Sequence, residues 1–108
     1  MELRLKIYKA ENHNEVEKVY SVDSLTIMFG TVEDIINVID IDKINDNTAV
    51  AGMILKGWKQ LKPFLLDIFP GLTEEEIKRV KITEMIPLFN DIFKSIGNDL
   101  NILVSGKN

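Results

Sequence analysis

Residues 63–93 read PFLLDIFPGLTEEEIKRVKITEMIPLFNDIF, and this stretch decides how the helical part of the chain is arranged. Pro70 and Gly71 end the incoming helix, because proline has no amide hydrogen to donate and glycine accepts left-handed backbone angles. Thr73 then caps the next helix, and Glu76 at the third helical position completes a capping box. The stretch therefore predicts a helix end, a sharp turn, a short capped helix and the start of a long last helix.

Apolar residues extend this pattern on both sides of the capping box. Leu72 before the cap and Ile77 at the fourth helical position form a hydrophobic staple, and the capped turn is expected to reach Val80. The last helix is expected to open at Thr83, with Pro87 tolerated because it lies near the first turn. Its apolar stripe follows helical spacing and is made of Phe89, Ile92, Ile96, Leu100 and Leu103, with Met85 and Phe93 beside it.

The N-terminal residues predict a β-hairpin. Leu3, Leu5 and Ile7 alternate with polar or amphipathic residues, which is the period of a half-buried strand. The polar turn at residues 11–14 precedes a second candidate strand from Val16 to Val22. The register of the pair stays open at this point, because the apolar residues of the second strand do not alternate cleanly. Two strands alone are marginal, so the hairpin is expected to lean on helices.

The middle of the chain predicts three helical segments. Asp23 or Ser24 is expected to cap a helical turn that ends at Gly30, and Thr31 to begin a clearer helix. After a polar connection at residues 40–47, a longer helix is expected from Thr48. Its apolar stripe consists of Val50, Met53, Ile54, Trp58, Leu61, Leu65 and Ile68.

Three residues are expected to interrupt the longer helix. Gly52 and Gly57 weaken it by up to ~1 kcal/mol each, or allow another backbone to approach closely. Pro63 is expected to kink or divide it near Leu61. The predicted fold is a mainly α, small helical domain with an N-terminal β-hairpin, which belongs to the α+β class. We expect one domain over 1–108, with a hairpin at 1–22, a helical part at 23–104 and a flexible tail at 105–108.

Charge and composition narrow the classes of function. The chain has 108 residues, a formal net charge of −4, no cysteine and one histidine. An acidic balance disfavours duplex nucleic acid, whose binding proteins usually carry a basic stripe. The absence of cysteine excludes disulfides and zinc–thiolate sites. No signal peptide or membrane span is expected, so the predicted location is the cytoplasm.

Four candidate sites of chemistry fail on residue type or context. The connection from Asp40 lacks the glycine and the final glutamate of a calcium loop, and the glycines at 52 and 57 precede Trp58 rather than the lysine of a phosphate loop. His13 lies in a polar turn without a nucleophile beside it in sequence. The three glutamates at 74–76 fill the first turn of a helix, where the helix dipole accounts for them. We therefore expect no enzyme activity, no cofactor and no metal.

Large apolar side chains are the remaining candidates for function. Five aromatic residues are concentrated on the C-terminal helices, and we predict them as partner-binding residues: Trp58, Phe64, Phe69, Phe89 and Phe93. Aromatic residues dominate the energetics of interfaces and of cores alike. The sequence leaves open which of the five are core and which meet a partner.

The runs TIMFGTVEDIINVIDIDKI and KPFLLDIFPGLTEEEIKRVKITEMIPLF resemble the tail assembly chaperones of long-tailed (siphovirus-type) phages and prophages of Gram-positive bacteria. The resemblance spans roughly Leu3 to Ile96 and rests on structural motifs rather than catalytic ones. It implies that the chain binds the tape measure protein, a long, mostly helical and aggregation-prone chain, until tail-tube subunits replace it. Tail tube protein and a second copy of the chain are further partners, with no nucleic acid or membrane, and the mature virion is expected to lack the protein.

Other classes of function fit the same residues. A small helical adaptor or inhibitor would dock on a host or phage protein through the same helices, and a small DNA-binding regulator is disfavoured by the acidic charge. The genes on either side would separate the first two, because a tail-tube gene and a very long tape-measure gene flank the chaperone gene. Retention on DNA that falls steeply with salt would indicate the regulator.

Overall fold

The computed structural model describes residues 2–23, 25 and 28–105, and the side chains of these residues apart from Ile41 and 99–105. Helices hold 55% of the chain and two strands form an antiparallel hairpin, so the fold class is α+β. The elements in chain order are β1 (Leu3–Tyr8), β2 (Val16–Val22), α1 (Phe29–Ile35), a 3₁₀ turn (Ile41–Lys43), α2 (Asn47–Lys56), α3 (Trp58–Ile68), α4 (Glu74–Ile77) and α5 (Ile82–Ser105).

The hairpin forms as the alternation of β1 predicts. Leu3 pairs with Val22 and Leu5 with Tyr20, and an irregularity between Ile7 and Tyr8 shifts the register by one residue. This register turns Tyr20 inward, where it is buried, and leaves Val19 on the outer face. The inner face of β1 packs against α5, so the two-stranded sheet gains the support that a hairpin needs.

One continuous core joins the hairpin to the helices. Side chains from β1, β2 and every α-helix contribute, because each element presents one apolar face inward. The buried members include Leu3, Leu5, Ile7, Tyr20, Ile35, Val50, Ile54, Leu61, Phe64, Leu65, Phe69, Leu72, Ile77, Leu88, Phe89, Ile92, Phe93 and Ile96. The predicted stripes of the helices therefore face the core over most of their described length.

The boundaries of α1 differ from the prediction. The helix begins at Phe29 rather than at Thr31, and Gly30 lies inside it rather than ending a preceding turn. Met28 occupies the N-cap position, where its side chain makes no capping hydrogen bond. The sequence gives no strong start signal here, so backbone hydrogen bonding and the burial of Ile35 set the boundary. The predicted cap at Ser24 lies outside the described residues.

The predicted long helix is divided at Gly57. It is not divided near Leu61, where Pro63 was expected to kink or divide it. A Cβ atom on Gly57 would lie 2.1 Å from Cγ1 of Val38, so only glycine lets Val38 pack against this point. At Gly52, by contrast, nothing lies within 4 Å of an added Cβ. The expected close approach therefore exists at one of the two glycines, and a side chain rather than a backbone makes it.

Two prolines lie inside helices without dividing them. Pro63 is in α3, and Pro87 is in the second turn of α5, which begins at Ile82 rather than at Thr83. A proline has no amide hydrogen to donate to the carbonyl four residues earlier. The carbonyls of Lys59 and Thr83 therefore lack this helical hydrogen bond. Lys59, Pro63, Thr83 and Pro87 are all exposed, so the missing hydrogen bonds lie on the outer faces of the two helices and not in the core.

The capped turn forms as predicted and is tied to the hairpin. Thr73 and Glu76 make both hydrogen bonds of the capping box, and Gly71 adopts a φ of 91°. The hydroxyl of Tyr20 lies 2.6 Å from Oε1 of Glu76 and 3.0 Å from the carbonyl of Gly71. The hydroxyl has a single proton, and it donates this proton to the charged Glu76 carboxylate, which is the nearer of the two acceptors. The buried Glu76 carboxylate thus joins β2 to α4.

A second set of hydrogen bonds fixes the other end of the hairpin. The guanidinium of Arg79 donates to both carboxylate oxygens of Glu75, to Glu17 and to the carbonyl of Tyr8. The backbone amide of Tyr8 donates in return to the carbonyl of Arg79, at 3.0 Å. The Tyr8 hydroxyl donates to Glu84 of α5. The segment after α4 is therefore held between both strands and the last helix.

Candidate functional site

An apolar groove lies where α2, α3, α4 and α5 meet. Its volume is about 420 Å³. The lining residues are Ile54, Leu55, Trp58, Lys62, Glu74, Ile77, Lys78, Ile82 and Met85, and we call this surface the α2–α5 groove. Six of the nine are apolar, whereas three other clefts between described residues have a larger polar share. The α2–α5 groove is therefore suited to an apolar partner.

The break at Gly57 gives the groove its shape. Leu55 is in the last turn of α2, and Trp58 begins α3 directly after the break. Ile54 and Met85 are buried and form the floor, together with Ile77 of α4. Leu55 is 74% exposed and Ile82 is 56% exposed, so both stand at the walls with most of their surface in water. The groove therefore combines a packed floor with apolar walls that lack partners within the described domain.

The rim of the groove carries two amines and one carboxylate. Lys62 lies 2.5 Å from Glu74, and this hydrogen bond holds the pKa of Glu74 below its ordinary value. Lys78 is exposed and forms no ion pair among the residues that the structure describes. The rim is therefore slightly cationic in a chain whose net charge is −4.

The structure places four of the five predicted partner-binding residues in the core. Phe69, Phe89 and Phe93 have no exposed surface, and Phe64 is 5% exposed. The rings of Phe89 and Phe93 lie 5.6 Å apart, and Phe69 packs edge-on against Tyr20. A side chain buried in this way is not available to a partner in the folded domain, so the assignment of these four to a contact surface is corrected.

Trp58 is the predicted residue that lies at the candidate site. It is half-buried in the α2–α5 groove, between Leu55 and the Lys62–Glu74 pair. The sequence prediction missed Leu55 and Ile82, which carry most of the exposed apolar surface of the groove. The signal was present, because Leu55 falls outside the buried stripe of its helix and Ile82 precedes the first residue assigned to α5. Large apolar residues off a buried stripe are the better indicator of a contact surface.

A second exposed apolar surface lies at the start of α1. Met28 is 68% exposed and Phe29 is 78% exposed, and we call this pair the α1 knob. Glu33 follows Phe29 by four residues and Ile36 by seven, so both share its face of the helix. Glu33 is exposed, and Ile36 is 37% exposed. The α1 knob therefore projects from an acidic helix with its largest side chain in water.

The described residues contain neither a candidate metal centre nor a candidate membrane span. Within them, no three residues among His, Asp and Glu are grouped so that they could hold a metal ion. None of the described helices is both long and apolar enough to cross a membrane. The α2–α5 groove and the α1 knob are exposed apolar surfaces suited to contact with another macromolecule.

No family model, no characterised protein and no solved structure matches this chain.

Proposed function

We propose that the chain is a tail assembly chaperone of a siphovirus-type phage or prophage, which binds the tape measure protein and keeps it soluble during tail assembly. The α2–α5 groove is the observation that carries this proposal. Exposed Leu55 and Ile82 with half-buried Trp58 form one apolar surface across the mainly α part of the domain. An amphipathic helix binds such a groove by laying its apolar face into it.

The energetics of the groove suit reversible binding. Full burial of one leucine or isoleucine side chain contributes about 1.5–3 kcal/mol, part of which is offset by the ordering of both partners. One groove with two such walls gives a weak contact, and a long helical client offers many segments that compete for it. Weak contacts allow tail-tube subunits to displace the chaperone, which then stays in the host cytoplasm and outside the mature virion.

The acidic charge of the chain supports the same role. A net charge of −4 keeps the domain and a client bound to it soluble through mutual repulsion between complexes. The sequence resemblance supports the tape measure protein as the proposed client. The geometry of the groove supplies the contact surface, in place of the buried phenylalanines.

Co-expression with segments of the tape measure protein tests this proposal. The parent chain is expected to raise the soluble fraction of at least one segment and to co-purify with it. Leu55→Ser is expected to weaken retention by about tenfold, which corresponds to about 1.4 kcal/mol. Val19→Ser is the matched control, because Val19 is also exposed, at 49%, but lies on the hairpin away from the groove. Failure of the parent to retain or solubilise any segment would overturn the proposal.

The size of the groove favours a second candidate function. A volume of about 420 Å³ accommodates a few apolar side chains from one face of a helix rather than a long stretch of client. A small adaptor or inhibitor that docks on one helix of a host or phage protein would need no more. This candidate predicts a single tight site on a folded partner, whereas the chaperone predicts several weak sites along the tape measure chain. Titration of the parent against tape measure segments of increasing length separates the two.

A further inference from the structure

The α2–α5 groove has the form of a site for a helix rather than for an extended peptide. Eight of its nine lining residues lie in α-helices, so the groove offers no strand edge to which an extended backbone could bond. A helix satisfies its own backbone groups and needs a surface for its apolar face alone. The floor at Ile54, Ile77 and Met85, with Leu55 and Ile82 at the walls, provides such a surface.

The rim of the groove has one positive charge in excess, on Lys78. The pKa of Glu74 lies below its ordinary value chiefly because Lys62 donates to it, and the charge of Lys78 adds to the effect. Arg79 binds both carboxylate oxygens of Glu75, whose pKa is lowered mainly for that reason. Both carboxylates near Lys78 are thus bound by another cation. Among the described residues Lys78 forms no ion pair, so its ammonium group is available to a carboxylate of a partner.

The position of Lys78 ties this charge to the apolar contact. Lys78 directly follows Ile77 of the floor and itself lines the groove. A lysine can lay its aliphatic stem along an apolar surface and keep the ammonium group at the edge in water. A helix seated on Ile77 would therefore bring the flank of its apolar face to the ammonium group of Lys78. A carboxylate on that flank is attracted there, whereas a cation is repelled.

We propose that the α2–α5 groove selects acidic amphipathic helices, in which a glutamate or aspartate beside the apolar face pairs with Lys78. This inference rests on the proposed function, because it takes the groove as the surface that meets the client, and it names the class of client segment that binds there. The net charge of the chain, −4, predicts the opposite choice, since long-range attraction would favour a basic segment. The local charge of the rim and the total charge of the domain can therefore be told apart by experiment.

Three model peptides of about 20 residues, long enough to be helical, test the proposal with the purified full chain. They share leucines at helical spacing and differ in the residues that flank this stripe, which are glutamate, glutamine or lysine. Trp58 is the single tryptophan of the chain and lines the groove, so its fluorescence reports binding of peptides that lack tryptophan. The glutamate peptide should bind most tightly and the lysine peptide least, with about two- to fivefold between successive peptides at low salt. At about 1 M salt the difference should shrink while binding persists, because the apolar contact remains.

Variants of Lys78 assign the preference to one side chain. Lys78→Glu should invert the order of the three peptides. Lys78→Gln should lose the preference for glutamate, and it adds no negative charge beside Glu74, so it carries the test where Lys78→Glu disturbs α4. Lys6→Glu is the matched control, because it changes the net charge equally at an exposed residue of the hairpin, and it should keep the parental order. Leu55→Ser should weaken all three peptides by about tenfold without changing their order.

Several outcomes would contradict the proposal. Equal affinity for the three peptides, tightest binding of the lysine peptide, or no change in Trp58 fluorescence with any of them would each overturn it, as would a parental order in both Lys78 variants. A glutamate peptide with a proline at a central flanking position keeps its leucines but cannot form a continuous helix, and should bind at least about tenfold more weakly. Undiminished binding of that peptide would exclude a helix as the occupant.

The peptide series and the co-expression experiment fail separately. A parent that ranks the peptides as expected but retains no tape measure segment would contradict the proposed function and leave the charge selectivity of the groove in place. A parent that retains a segment through Leu55 but does not distinguish the peptides would contradict the selectivity alone.

Discussion

Helix α4 with its turn and helix α1 are both short, yet they are held in place by different means. Thr73 caps α4, three glutamates fill its first turn, and Tyr20 and Arg79 bind the segment to the hairpin. Helix α1 has no side-chain cap and no acidic residue in its first turn, and Ile35 is its buried residue. The side chains of the capped turn make contacts that stabilise the fold, whereas Phe29 of α1 is exposed to water.

This difference indicates where an interaction surface is to be sought. A short helix gains little from its own backbone hydrogen bonds, because nucleation is costly, so contacts at its ends and on one face must stabilise it. At α4 those contacts are all internal to the domain. At α1 the largest side chain, Phe29, contacts solvent and makes no such internal contact.

The largest expected effect compares a phenylalanine from each region. Phe69 precedes the turn and has no exposed surface, so Phe69→Ala is expected to lower the free energy of unfolding by about 3–5 kcal/mol. Phe29→Ala removes an equal side chain from an exposed site and is expected to change it by less than about 0.5 kcal/mol. Urea denaturation of dilute protein measures both. Equal effects would show that α1 is packed as tightly as the turn.

The next effect concerns Val38, which follows α1 and packs against Gly57. Gly57→Ala would push a methyl group into Val38, and overpacking of this kind costs about 1–3 kcal/mol. Gly52→Ala is the matched control, because its new methyl group meets nothing within 4 Å. That variant is expected to gain up to ~1 kcal/mol from better helix propensity. The melting temperatures of the two variants should move in opposite directions from that of the parent. A rise for both variants would contradict the role assigned to Gly57.

Removal of the cap from α4 and addition of a cap to α1 are expected to change the stability by a smaller amount. Thr73→Ala should lower the free energy of unfolding by about 1 kcal/mol, since it removes the acceptor for the amide of Glu76. Leu72→Ala should add to this loss, because Leu72 is buried beside the cap. Met28→Ser supplies the cap that α1 lacks, at a residue with extended backbone angles, and should stabilise by about 0.5–1 kcal/mol. Denaturant midpoints that match the parent for Thr73→Ala and Leu72→Ala would contradict the role of the capped turn.

The features that the sequence predicted are those with a local cause. The capping box needs Thr73 and Glu76 alone, and both were identified with their hydrogen bonds. The alternation of Leu3, Leu5 and Ile7 likewise shows by its own spacing which face of the strand is buried. The residues that form each signal lie within a few positions of one another, so each signal can be recognised without knowledge of the tertiary fold.

The features that the sequence missed depend on residues far apart in the chain. Gly57 divides the helix because Val38 packs there, while Pro63 does not divide it because it faces solvent. Phe89 and Phe93 belong to the core because β1 covers α5, which the helical period alone does not reveal. The groove at Leu55 exists only where four helices meet. A helical stripe shows that a face is buried, but the covering element decides which flanking residues stay exposed.

The smallest expected effect concerns the contribution of the charged Glu76 carboxylate to the stability of the turn. The pKa of Glu76 lies below the ordinary value of 4.5, chiefly because the Tyr20 hydroxyl donates to its carboxylate, with the Thr73 amide and Lys18 adding to the effect. A carboxyl whose pKa is lowered by folding stabilises the folded state fully above pH 4.5, and this contribution is lost as the pH falls through the lowered pKa.

Glu76→Gln removes this dependence and keeps the hydrogen bonds, because an amide oxygen also accepts from Tyr20 and Thr73. The variant should lose about 1 kcal/mol or less at neutral pH, and its stability should fall less steeply than that of the parent below about pH 4.5. Glu74→Gln is the control for the exposed pair with Lys62, and should leave the Glu76 part of the profile in place. Urea midpoints measured from pH 7 to pH 3 give the three profiles. Parallel profiles for the parent and Glu76→Gln would mean that the Tyr20–Glu76 bond contributes nothing specific to the charged state, and that packing alone holds the turn against the hairpin.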